Sequence, residues 1–381
     1  HTDILVTETA VYWCRYDVQM PGQADVNQAN NKIYNTHNAN VKLRLCDSLL
    51  PLLKTSQPSI LSSVIKYTED EMNVYRQKLS KKCKLHQILT FKKLRFAYFS
   101  RLAYQTDPAF ASLGFANTAF AKPTSLYYLS SSHSDIKHAF YEITSRLTQA
   151  DNIPDVVSFA GATKSYNTKW LKTVFTHLFQ KLQAFPGIHK PTQDEIITHH
   201  NQFVAHIMLA LHLIAGLRES RDVVADHITM DLKAQLLYVS DKSVDAMHVS
   251  RIIPIPSSLV RQIEFYYRHL RSMTKTLYIG MPEIASILYA LSKQQHINHA
   301  IFSFIIDGKV VPPSTKLVFE FAEIPDDIHR NFLRHYLASN CPPDIAQDRQ
   351  YLLGHIVSGA HIHSPYNIVP IYHLETLRQG L

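Results

Sequence analysis

Near the end of this sequence, three kinds of side chain follow one another in an order that fits phosphodiester chemistry. The segment Leu333-Arg334-His335-Tyr336-Leu337-Ala338-Ser339 is followed by Leu352-Leu353-Gly354-His355 and then by Tyr366. A guanidinium and an imidazole hold the non-bridging oxygens of a phosphodiester while a phenol attacks its phosphorus. A second arginine lies upstream, in Ala215-Gly216-Leu217-Arg218-Glu219-Ser220. The planar fork of an arginine grips two phosphate oxygens at once, which an ammonium group does not do. Taken singly, Gly-Leu-Arg is a common helix end with a surface cation, and a lone His or Tyr is commonly a packed structural residue. The order of the pieces sets them apart.

These segments resemble the boxes of the tyrosine recombinase (phage integrase) family. Its first box reads as a Gly-Leu-Arg turn; its second reads Leu-Arg-His-x-apolar-Ala-Ser/Thr, then Leu-Gly-His ahead of the tyrosine. The resemblance covers residues 191–372 and fades before them. It implies that Arg218 and Arg334 clamp the scissile phosphate, that His355 hydrogen-bonds it and helps move the nucleophile's proton, and that Tyr366 attacks. It also implies that Lys242, in Ser240-Asp241-Lys242, protonates the departing 5′ oxygen. A general acid is needed there because an alkoxide is a poor leaving group.

The sequence departs from the family pattern in three places. Asn331 stands three residues before Arg334, where the family has His or Lys. An amide can hydrogen-bond a phosphate oxygen but cannot act as a base at neutral pH. The interval from Arg334 to His355 is shorter than the family's and that from Arg330 is longer, so Arg330 is the alternative second arginine. Tyr366 follows Pro365, which disfavours helix in the residue before it, and Tyr372 is the alternative nucleophile. The stretch 359–365 resembles a divergent integrase branch with a longer, glycine-containing link after Gly-His.

The resemblance implies a site-specific recombinase of a mobile element or phage that works through a 3′-phosphotyrosyl intermediate. Such an enzyme needs no ATP, no metal and no other cofactor. Its partner is double-stranded DNA, clamped from opposite sides by two domains, with four protomers at full synapsis. Two other readings stand beside it: a DNA-binding protein that keeps the fold but has lost strand transfer, and a topoisomerase-like nickase with the same chemistry.

Composition permits this. At 381 residues the chain exceeds a usual single domain, so two are expected. A hydrophobic content of 46% against 18% charged residues describes a chain able to bury a real core. The net charge of +8 favours a polyanionic partner, although charge alone serves solubility equally well. The four cysteines, Cys14, Cys46, Cys83 and Cys341, show no paired spacing, which fits a reducing bacterial cytoplasm and argues against a zinc site. Pairs such as His199-His200 and His361-x-His363 lack the spacing that puts two ligands on one helical face. The sequence begins with no basic region leading into an apolar run, and the apolar stretch 203–217 is too short to span a bilayer.

The elements that must position the chemistry can be read from periodicity. Residues 27–42, rich in Asn, read as irregular, and helix starts are expected near 56–58 and at Thr68-Glu69-Asp70-Glu71, where acids favour the dipole. Over 78–101 cations alternate with aromatic residues, a pattern that suits either a backbone-gripping surface or an ordinary solvated face. A helix is expected near 135–148, and breaks near 152–155 and 187–191. Thr192 and Glu195 form a capping box ahead of apolar residues at helical spacing, which end at the Gly216 turn. Runs at 234–239 and 250–256 read as a hairpin, with helices following at 258–272 and 282–292. Segments 301–306 and 316–321 fit strands or buried helix pieces equally, and the second-box helix is expected directly after Pro325, capped by Asp326 or Asp327. The expected fold is α+β: mainly helical with a small antiparallel sheet. An N-terminal, partly helical DNA-binding region over 1–155 precedes a catalytic domain over 156–381.

Overall fold

Apolar residues recurring at helical spacing turn much of the second half of the chain into helices, and short apolar runs between them pair as antiparallel ribbons. The computed structural model describes residues 4–6, 11–15, 33, 35, 40–44, 59–60, 69–82, 90–105, 110–111, 127–144, 159–162, 164–185, 191–218, 230–239, 251–295, 299–342, 345, 349–354 and 378. These residues are mainly helical with small antiparallel sheets, an α+β fold. They fall into two compact units, His1–Ser165 and Tyr166–Leu381. Among them no helix is long and apolar enough to cross a membrane.

The first unit contains an antiparallel sheet of β1 (Ile4–Val6), β2 (Val11–Arg15), β3 (Asn40–Arg44) and β4 (Ser59–Ile60), in the order β3-β2-β1-β4. The stretch expected to be irregular to residue 42 therefore ends inside β3, where Lys42 pairs with Trp13. Alternation of Val41 and Leu43 with polar neighbours supplies the period of two that a strand needs. The expected start at 56–58 lies outside the described residues. Among the described residues, the helices that follow include α1 (Glu69–Lys82), α2 (Phe91–Gln105) and α3 (His133–Thr144). Strand β5 (Ser130–Ser132) pairs with β6 (Phe159–Gly161). On α2, Phe99 and Leu102 are buried, whereas Phe96 and Tyr104 are 57% and 81% exposed among the cations.

The second unit is organised around one helix. After α4 (Thr168–Ala184) comes α5 (Gln193–Ala215), begun by the expected capping box. Thr192 Oγ1 accepts from the Glu195 amide at 3.3 Å, and the Glu195 carboxylate accepts from the Thr192 amide at 2.7 Å. The Thr192 backbone and hydroxyl bonds hold the Glu195 carboxyl below its ordinary range. Val204, Ala205, Ile207 and Leu211 are completely buried along α5. Residues this apolar cannot face water on any side, so neighbours must surround the helix.

Among the described residues, five elements supply most of those neighbours. They are α4, α6 (Ser257–Leu277), α8 (Thr315–Phe321), α9 (Phe332–Asn340) and β10 (Phe304–Ile306). The expected hairpin is present as β8 (Leu236–Val239) against β9 (Arg251–Pro254), with a short edge strand, β7 (Met230–Asp231), added to it. Helix α7 (Pro282–Ser292) takes Pro at its start, where the missing amide costs nothing. Of the two ambiguous segments, the first gives β10, which pairs with β11 (Lys309–Val311) through Asp307-Gly308. Both turn residues have positive φ, 49° and 71°, as a two-residue hairpin turn requires. The second gives α8, capped by Ser314.

A further boundary differs from expectation. Helix α9 begins at Phe332, with Asn331 and not Asp326 or Asp327 at the cap position. Before it, the Ile328 amide bonds the Pro325 carbonyl and the Phe332 amide bonds that of His329. These three-residue closures form separate turns and delay the helix. The last helical piece among the described residues of this region is α10 (Arg349–Leu352).

Candidate active site

Helix α9 buries Phe332, Leu333, Leu337 and Ala338, and with them an arginine. Arg334 is 0% exposed. Its Nη1 donates to the carbonyl of Gly216, and its Nη2 donates to the carbonyl of Leu353. Gly216 is the left-handed cap of α5 (φ 52°, ψ 40°), and Leu353 follows α10 directly. Both acceptors lie where a helix leaves carbonyls without partners and carries partial negative charge. A permanently charged guanidinium is thus seated between two helix C-termini.

Glycine is required at the first of them. A Cβ on Gly216 would stand 3.1 Å from the Leu337 and Leu353 methyls and 3.3 Å from the Leu352 carbonyl oxygen. Its positive φ adds a second cost for any other residue. Gly354 also has positive φ, 61°, which turns the chain sharply after α10. The Gly-Leu-Arg turn, the Leu-Arg-His helix and the Leu-Gly turn therefore meet around one side chain. They are separated by 118 and 19 residues in sequence.

The individual candidates are placed as follows. Arg218, two residues beyond the α5 cap, is half-buried, and its Nε has no hydrogen-bond partner among the described residues. An enclosed donor left in that state is costly, and an anion would satisfy it. Arg330 is exposed, in the turn immediately before α9. Asn331, half-buried, makes no side-chain cap bond. Lys242, His355, Tyr366 and Tyr372 lie outside the described residues.

The histidine and tyrosine inside the second box are structural. His335 is 0% exposed, with its ring 5.3 Å from that of His329 and 6.5 Å from that of Tyr166. Tyr336 donates its hydroxyl to Thr168 Oγ1 at 3.2 Å. A residue that sequence reasoning passed over is His329. The Asn331 amide donates to its Nδ1 at 3.2 Å, which leaves the imidazole proton on Nε2 as a donor. The signal available was its position beside Arg330. Among the described residues, no group of three or more His, Cys, Asp or Glu side chains is arranged to hold a metal ion.

No family model matches the sequence, and no curated protein matches it. Among solved structures the chain is similar to the crystal structure of XerA recombinase, at 12% identity, over 81% of this chain and 94% of that one, with a TM-score of 0.27.

Proposed function

We propose that this chain is a tyrosine-recombinase-like DNA strand transferase. The observation that carries the reading is the convergence of three motif segments on Arg334, through the carbonyls of Gly216 and Leu353. Motifs that matched by chance would have no reason to share one buried contact. The half-buried Arg218 Nε, without a partner among the described residues, adds a donor suited to a phosphate oxygen.

In this reading Tyr366 attacks the scissile phosphorus, forming the Tyr–O–P bond while the P–O5′ bond breaks. Arg218, Arg334 and His355 stabilise the charge that builds on the non-bridging oxygens. Lys242 gives its proton to the leaving 5′ oxygen, and the phenol proton leaves through His355. The phosphotyrosyl link keeps the bond energy, so a 5′ hydroxyl from a partner strand reverses the step without ATP or metal. The substrate is duplex DNA of a mobile element or phage in the cytoplasm. Residues 1–155 bind it alongside the catalytic domain, and four protomers assemble for full exchange.

A second reading has its own observation: Arg334 already spends two of its donors on carbonyls, and Asn331 stands where a base is usual. It describes a DNA-binding protein with the same architecture and no strand transfer. Trapping separates the two. The protein is incubated with nicked duplexes carrying candidate element ends and digested, and the DNA-linked peptide is identified by mass spectrometry. An adduct on Tyr366 is expected. One on Tyr372 would keep the chemistry and move the nucleophile, whereas no adduct on DNA bound at a specific site would leave only the binding reading.

A further inference from the structure

We propose that the cleft between the β7–β8 turn and α6 binds a nucleoside phosphate, with the phosphate on Lys233, Arg268 and Arg271 and the base against Tyr238. The cleft has a volume of about 780 Å³, within the range of pockets that hold a small organic ligand. Its walls come from the β7–β8 ribbon and α6, and Gln294 closes one side. It shares no residue with the junction around Arg334, and binding there requires no strand transfer.

Charge selects the phosphate. On α6 the exposed charged residues are Arg261, Glu264, Arg268, Arg271 and Lys275, four cations against one carboxylate. Arg268 and Arg271 stand three residues apart, which puts them on one face of the helix, and both line the cleft together with Lys233. None of these three pairs with a carboxylate among the described residues. The Arg268 guanidinium lies 4.0 Å from the centre of the Phe265 ring. Stacking of this kind orients the group and keeps its N–H edge for an anion. Arg271 gives one N–H to the Ser292 carbonyl at 3.4 Å, which steadies it and leaves its other donors. A phosphate, with several oxygens, serves all three cations at once.

The other lining residues distinguish a nucleotide from a bare anion. Tyr238 is 43% exposed on β8, between the completely buried Leu237 and Val239. Strand alternation therefore turns its ring away from the core, as a surface on which a base can stack. Glu264, one helical turn before Arg268, offers a carboxylate to sugar hydroxyls or to an exocyclic amine. Asp231 also lines the cleft, but its carboxylate is engaged in its own turn, where it accepts from the Ala234 amide at 2.8 Å. The same turn is tied to the start of α6. The Gln235 carbonyl accepts from the Ile255 amide at 2.7 Å, and Gln235 Oε1 accepts from the Ser257 hydroxyl at 3.3 Å. Lys233 is thus held against the helix that forms the other wall, so the cleft exists before a ligand arrives.

A free nucleotide and a nucleotide within a single strand share this chemistry, and the choice of probe separates them. Binding of AMP, of an oligothymidylate and of inorganic phosphate to the full chain is measured by equilibrium dialysis. One of the two nucleotide probes is expected to bind saturably and at least about tenfold more tightly than inorganic phosphate, the scale of one stacked base. Tighter AMP identifies a free nucleotide as the ligand, and tighter oligothymidylate identifies a single strand. Arg268→Ala/Arg271→Ala should weaken the preferred probe at least about tenfold, through the loss of two charge-assisted contacts. Tyr238→Ala should weaken it about tenfold and leave inorganic phosphate unchanged. All three side chains are exposed, so neither variant opens the core. Absence of saturable binding by both nucleotide probes overturns the assignment. So does inorganic phosphate that binds as tightly as they do, or wild-type affinity for the preferred probe in either variant.

Discussion

The two ends of α5 bury polar groups by opposite means. From its start to His206 the buried polar groups are the imidazoles of His200 and His206 and the amide of Asn201. His200 is 0% exposed, with Nε2 3.0 Å from the Ser303 carbonyl and Nδ1 3.3 Å from His269 Nε2. His206 Nε2 lies 3.1 Å from Gln262 Oε1. Burial lowers the pKa of His199, His200, His206 and His269, and a hydrogen bond to a carbonyl or amide only partly opposes it in the first three. An imidazole sheds its proton easily, so these sites are solved by neutrality. At the C-terminal end the buried group is Arg334, which cannot shed its proton and must instead be given carbonyl oxygens. Burial also pushes His212, in the last turn, down to about 4, so sensitivity to pH runs along the helix, while the geometric demand lies at its C-terminal end.

The largest effect is expected at the geometric end. Gly216→Ala meets two obstacles at once: a left-handed backbone, and a methyl 3.1 Å from Leu337 and Leu353 and 3.3 Å from a backbone carbonyl. Together these should cost about 3 kcal/mol, summing the left-handed penalty and moderate overpacking. Urea denaturation of the variant checks this. A loss below about 1 kcal/mol would mean that the junction relaxes freely, contrary to the close packing around Gly216.

The imidazole end should respond to acid. His200 titrates near 6.5 when unfolded, and burial pushes it down to about 4 in the folded protein. A histidine with a depressed folded pKa contributes stability that is complete above 6.5 and is lost as pH falls toward 4. In that window the unfolded chain takes up a proton that the folded chain refuses. At pH 5 the loss from this one residue is about 2 kcal/mol. His199, His206, His212 and His269 shift in the same direction and steepen the slope. Denaturation midpoints between pH 7 and 5 should fall for wild type and flatten for His200→Gln. Equal slopes would show that the buried imidazole is not the sensor.

How legible this was in the sequence depended on the range of the forces involved. The start of α5 could be read because a capping box is a local device, with both partners within four residues. Gly216 was equally legible as a turn, but not the reason that it must be glycine, since the atoms it would strike come from residues 337, 352 and 353. The start of α9 was misplaced because Asp326 and Asp327 are good caps in isolation, yet the turns after Pro325 close first. Arg334 is chosen for a phosphate by residue type and motif, whereas its burial and its bonds to the Gly216 and Leu353 carbonyls come from residues too far away in sequence to be read. The motif segments meet at one side chain, and the bonds that join them there are tertiary contacts invisible to spacing.

The smallest predicted effect tests whether the two ends of α5 are separate. Thr192→Ala removes the exposed cap and should cost about 1 kcal/mol, a typical loss for such a residue. The helix has 23 residues, so at 1.5 Å per residue Thr192 and Gly216 lie about 35 Å apart. Substitutions so distant, with no shared partner, should add to within about 0.5 kcal/mol. The double variant Thr192→Ala/Gly216→Ala should therefore lose the sum of the two single losses in urea denaturation. A shortfall beyond that margin would mean that α5 already frays as a unit once either end is released. The Arg334 bond to the Gly216 carbonyl would then hold the whole helix, and not only its last turn.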